Sequence, residues 1–208
     1  MRYRGQNYRF TVEPSRWRII VIFELTEMAH YAWISAFDTS PQSPEDLFRI
    51  AAEKCPDVSI QIVDLDRIPG LRYLKLATVN ATKSFHSKQP IAKTLGMELL
   101  LYISAEKQIT RALKRIGITA DTRRIAAVVV GTNRDRVLDA ANFLAATFGR
   151  EGDDKLLDDW PRERIKNVRS SFDIEEKELG AIIQPNETEP MVVERLAVER
   201  SAMLAAKR

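Results

Sequence analysis

The sequence predicts an α+β fold: a single domain with a central β-sheet packed against helices, and a helical C-terminal segment. Three observations carry this. Short β-rich runs alternate with amphipathic helical patterns as far as residue 148. The longest largely apolar runs, Met97–Ile103 (broken by Glu98) and Ile125–Val130, have the length of buried strands and fall far short of the roughly 18 residues of a membrane span. Beyond residue 150 the strand signals stop and three helical patterns follow. With 208 residues, 45% of them hydrophobic, the chain has the means to bury one sizeable core.

The elements follow in order. Residues 1–17 read as a basic N-terminal extension, and 18–208 as the domain. Arg18–Leu25 (RIIVIFEL) is rich in β-branched residues and reads as a strand. Ser43-Pro44-Glu45-Asp46 places a cap, a first-turn proline and two acids where a helix begins, and Pro56 ends it. Val58–Leu65 alternates as a second strand. A long helix opens near Pro69, with Leu71, Leu74, Thr78, Ala81 and Phe85 on one stripe, and ends at Lys88-Gln89-Pro90.

Leu95–Ser104 (LGMELLLYIS) then reads as a buried strand. A helix is expected over 105–116, with Gly117 as its stop. Arg124–Thr132 reads as a further buried strand, and Asn133 caps a helix carrying Val137, Ala141, Leu144 and Phe148. An acidic, solvated linker is expected at 151–160. The helical segment 161–208 contains helices near Pro161, Glu175–Leu179 and from Pro190 onward, separated by a turn-rich stretch at 184–190.

The net charge of +3 hides a strong local bias. Arg67 to Arg115 holds ten Lys/Arg against two Glu, whereas residues 151–178 hold ten acids against six bases. A basic middle suggests a polyanionic partner. On the 71–88 helix and the following loop the candidate phosphate contacts are Lys83, Lys88 and Lys93, with Arg72 and Lys75 upstream. Arg111 and Lys114 share one face of the next helix. Phe85 is also on a core stripe, so packing is its default role rather than base stacking.

Other chemistries find little support. The eight glycines form neither a dinucleotide fingerprint nor a phosphate loop. His30 and His86 are 56 positions apart in sequence, and neither has a His or Cys at zinc-ligand spacing, so no metal or cofactor is expected. Cys55 beside His86 has the residue types of a nucleophile and base, yet a buried structural thiol is the simpler reading. His30 reads as a hydrogen-bonded packing residue and His86 as a solvated helix-end residue. The single cysteine suits a reducing compartment, and Met1–Asn7 lacks the pattern of a secretory signal; a soluble, cytoplasmic protein is expected.

The segment Gly70–Phe85 (GLRYLKLATVNATKSF) is similar to the long helix of the small accessory subunit of the KEOPS complex, the p53-related-protein-kinase-binding protein family. Ile91–Ser104, with Gln108-Ile109, Ala112 and Gly117-Ile118, resembles that family's lysine-bearing loop, E-L/I-L-L-Y segment and Q-I-x-x-A helix. Glu194–Leu204 resembles its terminal helix. The resemblance covers about residues 18–206; the extension 1–17 and the stretch 184–190 stand outside the family pattern. It implies a non-catalytic subunit in the synthesis of threonylcarbamoyl-adenosine on tRNA. Such a subunit binds the Bud-type kinase/ATPase and helps recruit tRNA by its 3′ CCA end. The apolar side of the terminal helix (Val193, Leu196, Ala197, Leu204) is the candidate kinase interface, touching the kinase or packing beneath the surface that does.

Two other classes compete. A stand-alone nucleic-acid-binding module would bind nucleic acid tightly and ignore the kinase. A small hydrolase or transferase would use carboxylates such as Glu98 and Asp64. Glu98 lies on a core-like run, where an ion pair is the expected reason for an acid.

Overall fold

The computed structural model describes residues 8–15, 18–39, 44–87, 90–148 and 154–206. Five strands form one antiparallel sheet: β1 (Tyr8–Ser15), β2 (Arg18–Leu25), β3 (His30–Asp38), β4 (Ser59–Asp64) and β5 (Arg124–Gly131). Their order is β1-β2-β3-β5-β4. Residues 8–15, expected in an extension, pair along β2 from Tyr8 opposite Leu25 to Ser15 opposite Arg18. β3 has no counterpart among the expected elements, yet it is central. Its register sets Ile34 opposite Val128 and Trp33 opposite Val129.

That register sorts the side chains onto two faces, because successive residues of a strand point to opposite sides. Phe23, Ala32, Ile34, Ala126 and Val128 join one core with α2 (Leu71–Phe85) and α3 (Leu95–Ser104), on which α4 (Ile109–Ile116) and α9 (Glu189–Ala206) pack, α9 in turn meeting α7 (Arg162–Ser171) and α8 (Glu176–Ile182). Ile22, Trp33, Phe37, Ile125 and Val129 meet α1 (Pro44–Lys54) and α5 (Arg134–Thr147) on the other side. Both faces of β5 are therefore dry, which is why it reads as an uninterrupted apolar run.

The segment 95–104, expected as a strand, is the helix α3. The Thr94 hydroxyl oxygen accepts from the Met97 amide and caps it, and the chain leaves through Ala105 in the left-handed region at φ 55°. Leu, Met and Glu favour helix, and Ile103 is the one β-branched residue in the segment. Packed among α2, α4, α9 and β4, α3 is buried on nearly every side. Such a helix shows no polar stripe, so its sequence does not carry the 3.6-residue period. The helix expected over 105–116 starts only at Ile109, after a turn.

The acidic stretch also departs from expectation. Its first residues, 151–153, lie outside the described residues; the rest is docked on the fold, although Lys155, Asp158 and Asp159 remain exposed as expected. α6 (Asp154–Leu157) buries Leu157 completely. Asp158 Oδ1 accepts from the Leu71 amide at 3.3 Å, capping α2. Gly70 makes that approach possible. Its φ is 114°, and a Cβ there would lie 3.0 Å from the Leu157 carbonyl oxygen. Asp159 pairs with Arg124 at 3.1 Å.

Arg164 completes the join. It is fully buried, and its guanidinium donates to the carbonyls of Ile68, Leu156, Leu157 and Asp159, with its central carbon 5.0 Å from the centre of the Trp160 ring. Burial, with Arg124 near by, lowers its pKa to about 10.

Candidate nucleic-acid interface

α2 and α3 lie antiparallel, and two hydrogen bonds mark their ends. The Tyr73 hydroxyl donates to the Ile103 carbonyl at 2.8 Å at one end. At the other, the Ser84 hydroxyl donates to Glu98 at 2.6 Å. Tyr73 and Ser84 are separated by about 16 Å of helix. The expected basic residues divide between these ends rather than forming one patch.

At the Ser84 end, Lys83 is exposed in the last turn of α2 and Lys93 is exposed in the following loop. Lys88 lies outside the described residues. Glu98 fixes that loop. Its carboxylate is fully buried and accepts from the Ala92 amide at 2.7 Å and the Ile91 amide at 3.3 Å, besides the Ser84 hydroxyl. Two backbone amides and a hydroxyl thus account for an acid at this core position, alongside whatever else it meets. Ile91 and Met97 are exposed beside Lys93. Phe85 is half-buried against the core and edge-on to His86, so it keeps its packing role.

At the Tyr73 end, Arg111 and Lys114 are exposed on α4 and line a cavity of about 420 Å³ with Arg67, Glu106, Arg115, Ser170, Ser171 and Asp173. Arg67 donates to the Lys114 and Arg115 carbonyls at 3.2 and 3.1 Å, satisfying the C-terminus of α4. Arg115 is committed to Glu106 at 2.8 Å and Asp173 at 2.7 Å. Lys83, Lys93, Arg111 and Lys114 enter no ion pair among the described residues. Arg72 is exposed and 3.8 Å from Glu194, and Lys75 is half-buried and has a partner of its own.

The carboxylates considered for catalysis serve the fold. Asp64 is buried, accepts from the Asp66 amide at 3.0 Å and the Thr122 hydroxyl at 3.4 Å, and lies 3.4 Å from Arg67. Burial raises its pKa despite those partners. Cys55 and His86 are on opposite faces of the sheet. Cys55 is half-buried, and burial followed by the Asp139 charge raises its pKa, the reverse of thiolate activation. His86 is exposed at the C-cap of α2, yet it faces buried His30 instead of solvent alone. Burial, then the neighbouring imidazole, lowers its pKa. Among the described residues no group of three or more His, Cys, Asp or Glu side chains is placed to hold a metal ion.

Val193, Leu196, Ala197 and Leu204, expected at the kinase interface, are all buried in the chain's own core. They underlie a surface rather than form one. Among the described residues the large apolar side chains of α9 exposed to solvent are Met191 and Met203.

The family model described as kinase binding protein CGI-121 matches residues 42–202, more than three quarters of the chain. The chain belongs to the CGI-121 family. This is the kinase-binding accessory-subunit family that the 70–118 segment resembles. The CGI-121 match runs from just before α1 into α9 and takes in both basic clusters and the Glu98 loop, while β1, β2 and β3 lie outside it. A kinase-binding accessory role is the function that CGI-121 membership supports. No curated protein matches the chain. No helix among the described residues is long and apolar enough to cross a membrane.

Sequence reasoning missed three features: Arg164, the Glu98-held loop and the meeting of the two histidines. Arg164 sits in a mixed charge run whose default reading is a solvated face. Thr94, a residue of N-cap type just before the run, and the helix-favouring composition of 95–104 could have revealed α3 and with it the Glu98 geometry.

Proposed function

We propose that this CGI-121 chain is a non-catalytic KEOPS-type subunit that binds a small Bud-type kinase/ATPase and recruits tRNA by its 3′ CCA end. It would serve threonylcarbamoyl-adenosine synthesis in the cytoplasm, with catalysis on other subunits. The observation that carries this is the family match over residues 42–202, spanning a loop whose backbone Glu98 holds beside exposed Lys93.

The Ser84 end of the α2–α3 pair suits an unpaired nucleic-acid end. Lys83, Lys93 and Lys88 supply cations for phosphates, and exposed Ile91 and Met97 supply apolar surface for bases. Arg111 and Lys114, with Arg72 and Lys75, would meet the body of the tRNA from the opposite end. The kinase would dock over α9, on the surface that Val193, Leu196, Ala197 and Leu204 support from beneath.

Binding of tRNA with and without its CCA end tests the reading. Lys83→Glu with Lys93→Glu should weaken binding of intact tRNA by tenfold or more, about thirtyfold at roughly 1 kcal/mol for each of the two charge-assisted contacts. Each lost contact should flatten the slope of log affinity against log salt by about 0.7. Removing CCA should cost the wild type as much and add little to the double variant. If the wild type binds both tRNAs equally and does not co-elute with the kinase, the chain is a stand-alone nucleic-acid-binding module.

A further inference from the structure

His30 and His86 are the only histidines in the chain, 56 positions apart, and the fold brings them together. Their Nε2 atoms are 3.2 Å apart. We infer that these two nitrogens form a site for a divalent first-row transition ion of the zinc type, with water in the remaining positions. The inference is independent of the RNA and kinase reading.

The distance fits such an ion. Zinc–imidazole bonds of about 2.0–2.1 Å, closing on two nitrogens at this separation, subtend an angle of about 100°, near tetrahedral. The ring geometry favours convergence as well. A straight Nε2–H···Nε2 hydrogen bond would put the ring centres about 5.5 Å apart. They are 4.6 Å apart, with the rings inclined at 59°, so the hydrogen bond that joins the two nitrogens is bent, and an ion replacing its proton would bridge them from one side.

The tautomer of His30 is already the ligating one. Its Nδ1 lies 2.7 Å from the Met28 carbonyl oxygen, an acceptor only, so Nδ1 carries the proton and Nε2 presents a lone pair. A ligating histidine that donates its other N–H to a carbonyl has its ring direction fixed. His30 is buried on β3 and held, whereas His86 is exposed on the end of α2. The ion would enter from the His86 side, and His86 would carry its proton on Nδ1 when bound. Imidazole nitrogen suits zinc, copper and nickel over magnesium or calcium. The bound ion would tie the start of β3 to the end of α2, just ahead of the loop that carries Lys93.

The test is a calorimetric titration of the full-length, metal-free chain with zinc chloride, followed in parallel by NMR of the ring protons. With two histidines in the chain, the ring spectrum holds two sets of signals. One zinc ion should bind with micromolar affinity and move both sets together. His86→Ala, at an exposed position, should leave circular dichroism unchanged and weaken zinc binding at least thirtyfold. His30→Gln should do the same if it folds; if it does not, His86→Ala decides alone. No uptake below millimolar zinc would overturn the proposal. So would wild-type affinity in His86→Ala, or binding that leaves both ring signals in place.

Discussion

The guanidinium of Arg164 holds the carbonyl oxygen of Ile68, 96 residues earlier, from two nitrogens: Nε at 3.3 Å and Nη2 at 2.9 Å. The same side chain gathers the carbonyls of Leu156, Leu157 and Asp159. One cation thus fastens the C-terminal helices to the turn that leads into α2.

Replacing Arg164 should expose the cost of that arrangement. Arg164→Met leaves several buried carbonyls without a donor, at roughly 1–3 kcal/mol each before relaxation. A fall of about 3 kcal/mol in unfolding free energy is expected. Arg164→Lys should restore only part of it, because an ammonium cannot reproduce the planar fork. Urea unfolding midpoints of the three proteins provide the check, and a Met variant as stable as wild type would contradict the role assigned here.

Glu98→Gln probes the loop. Both carboxylate oxygens accept hydrogen bonds, so an amide nitrogen in either position must face a donor. The expected loss is about 1–3 kcal/mol. Hydrogen exchange should speed up at the Ala92 amide while the amides of β5 remain protected.

On α9, burial separates packing from docking. Leu196→Asp buries an unpaired charge and should abolish cooperative unfolding or cost more than about 3 kcal/mol. Met203→Asp, at a side chain 48% exposed, should change stability by less than about 0.5 kcal/mol. Met203→Asp should nonetheless weaken co-elution with the kinase on a sizing column. Full co-elution would move the kinase surface away from this end of α9.

Asp64 predicts a pH dependence. Burial raises its folded pKa above the ordinary aspartate value, so the folded state holds the proton more tightly than the unfolded chain. Its contribution to stability is largest when protonated and falls as pH rises through the folded pKa. Asp64→Asn removes that loss. The variant should therefore gain on the wild type as pH rises from about 4 to about 7 in denaturant titrations. A difference that shrinks over this range would reverse the assignment.

The strands 18–25, 59–64 and 124–131, and the helices α1, α2, α5, α7, α8 and α9, are legible in the sequence. Each shows residue types, periodicity or a terminal signal that acts locally: Pro44 opening α1, Asn133 accepting from the Asp135 and Arg136 amides at the start of α5. The family resemblance carried by 70–118 is legible for the same reason, as a contiguous pattern. Five other matters were decided by tertiary structure. The burial of Leu95–Ser104 on nearly every side removes the polar stripe that would announce its helical period. The basic residues divide into two clusters, because the antiparallel α2–α3 pair carries Lys83 and Arg111 to opposite ends. Val193, Leu196, Ala197 and Leu204 are core, because α9 turns its apolar side onto α2, α3, α7 and α8 rather than outward. Arg164 is buried and His30 meets His86, because strand order and helix packing bring together groups 96 and 56 residues apart. Local chemistry fixes which element a segment favours; which groups meet depends on long-range burial, and a linear pattern does not encode that position by position.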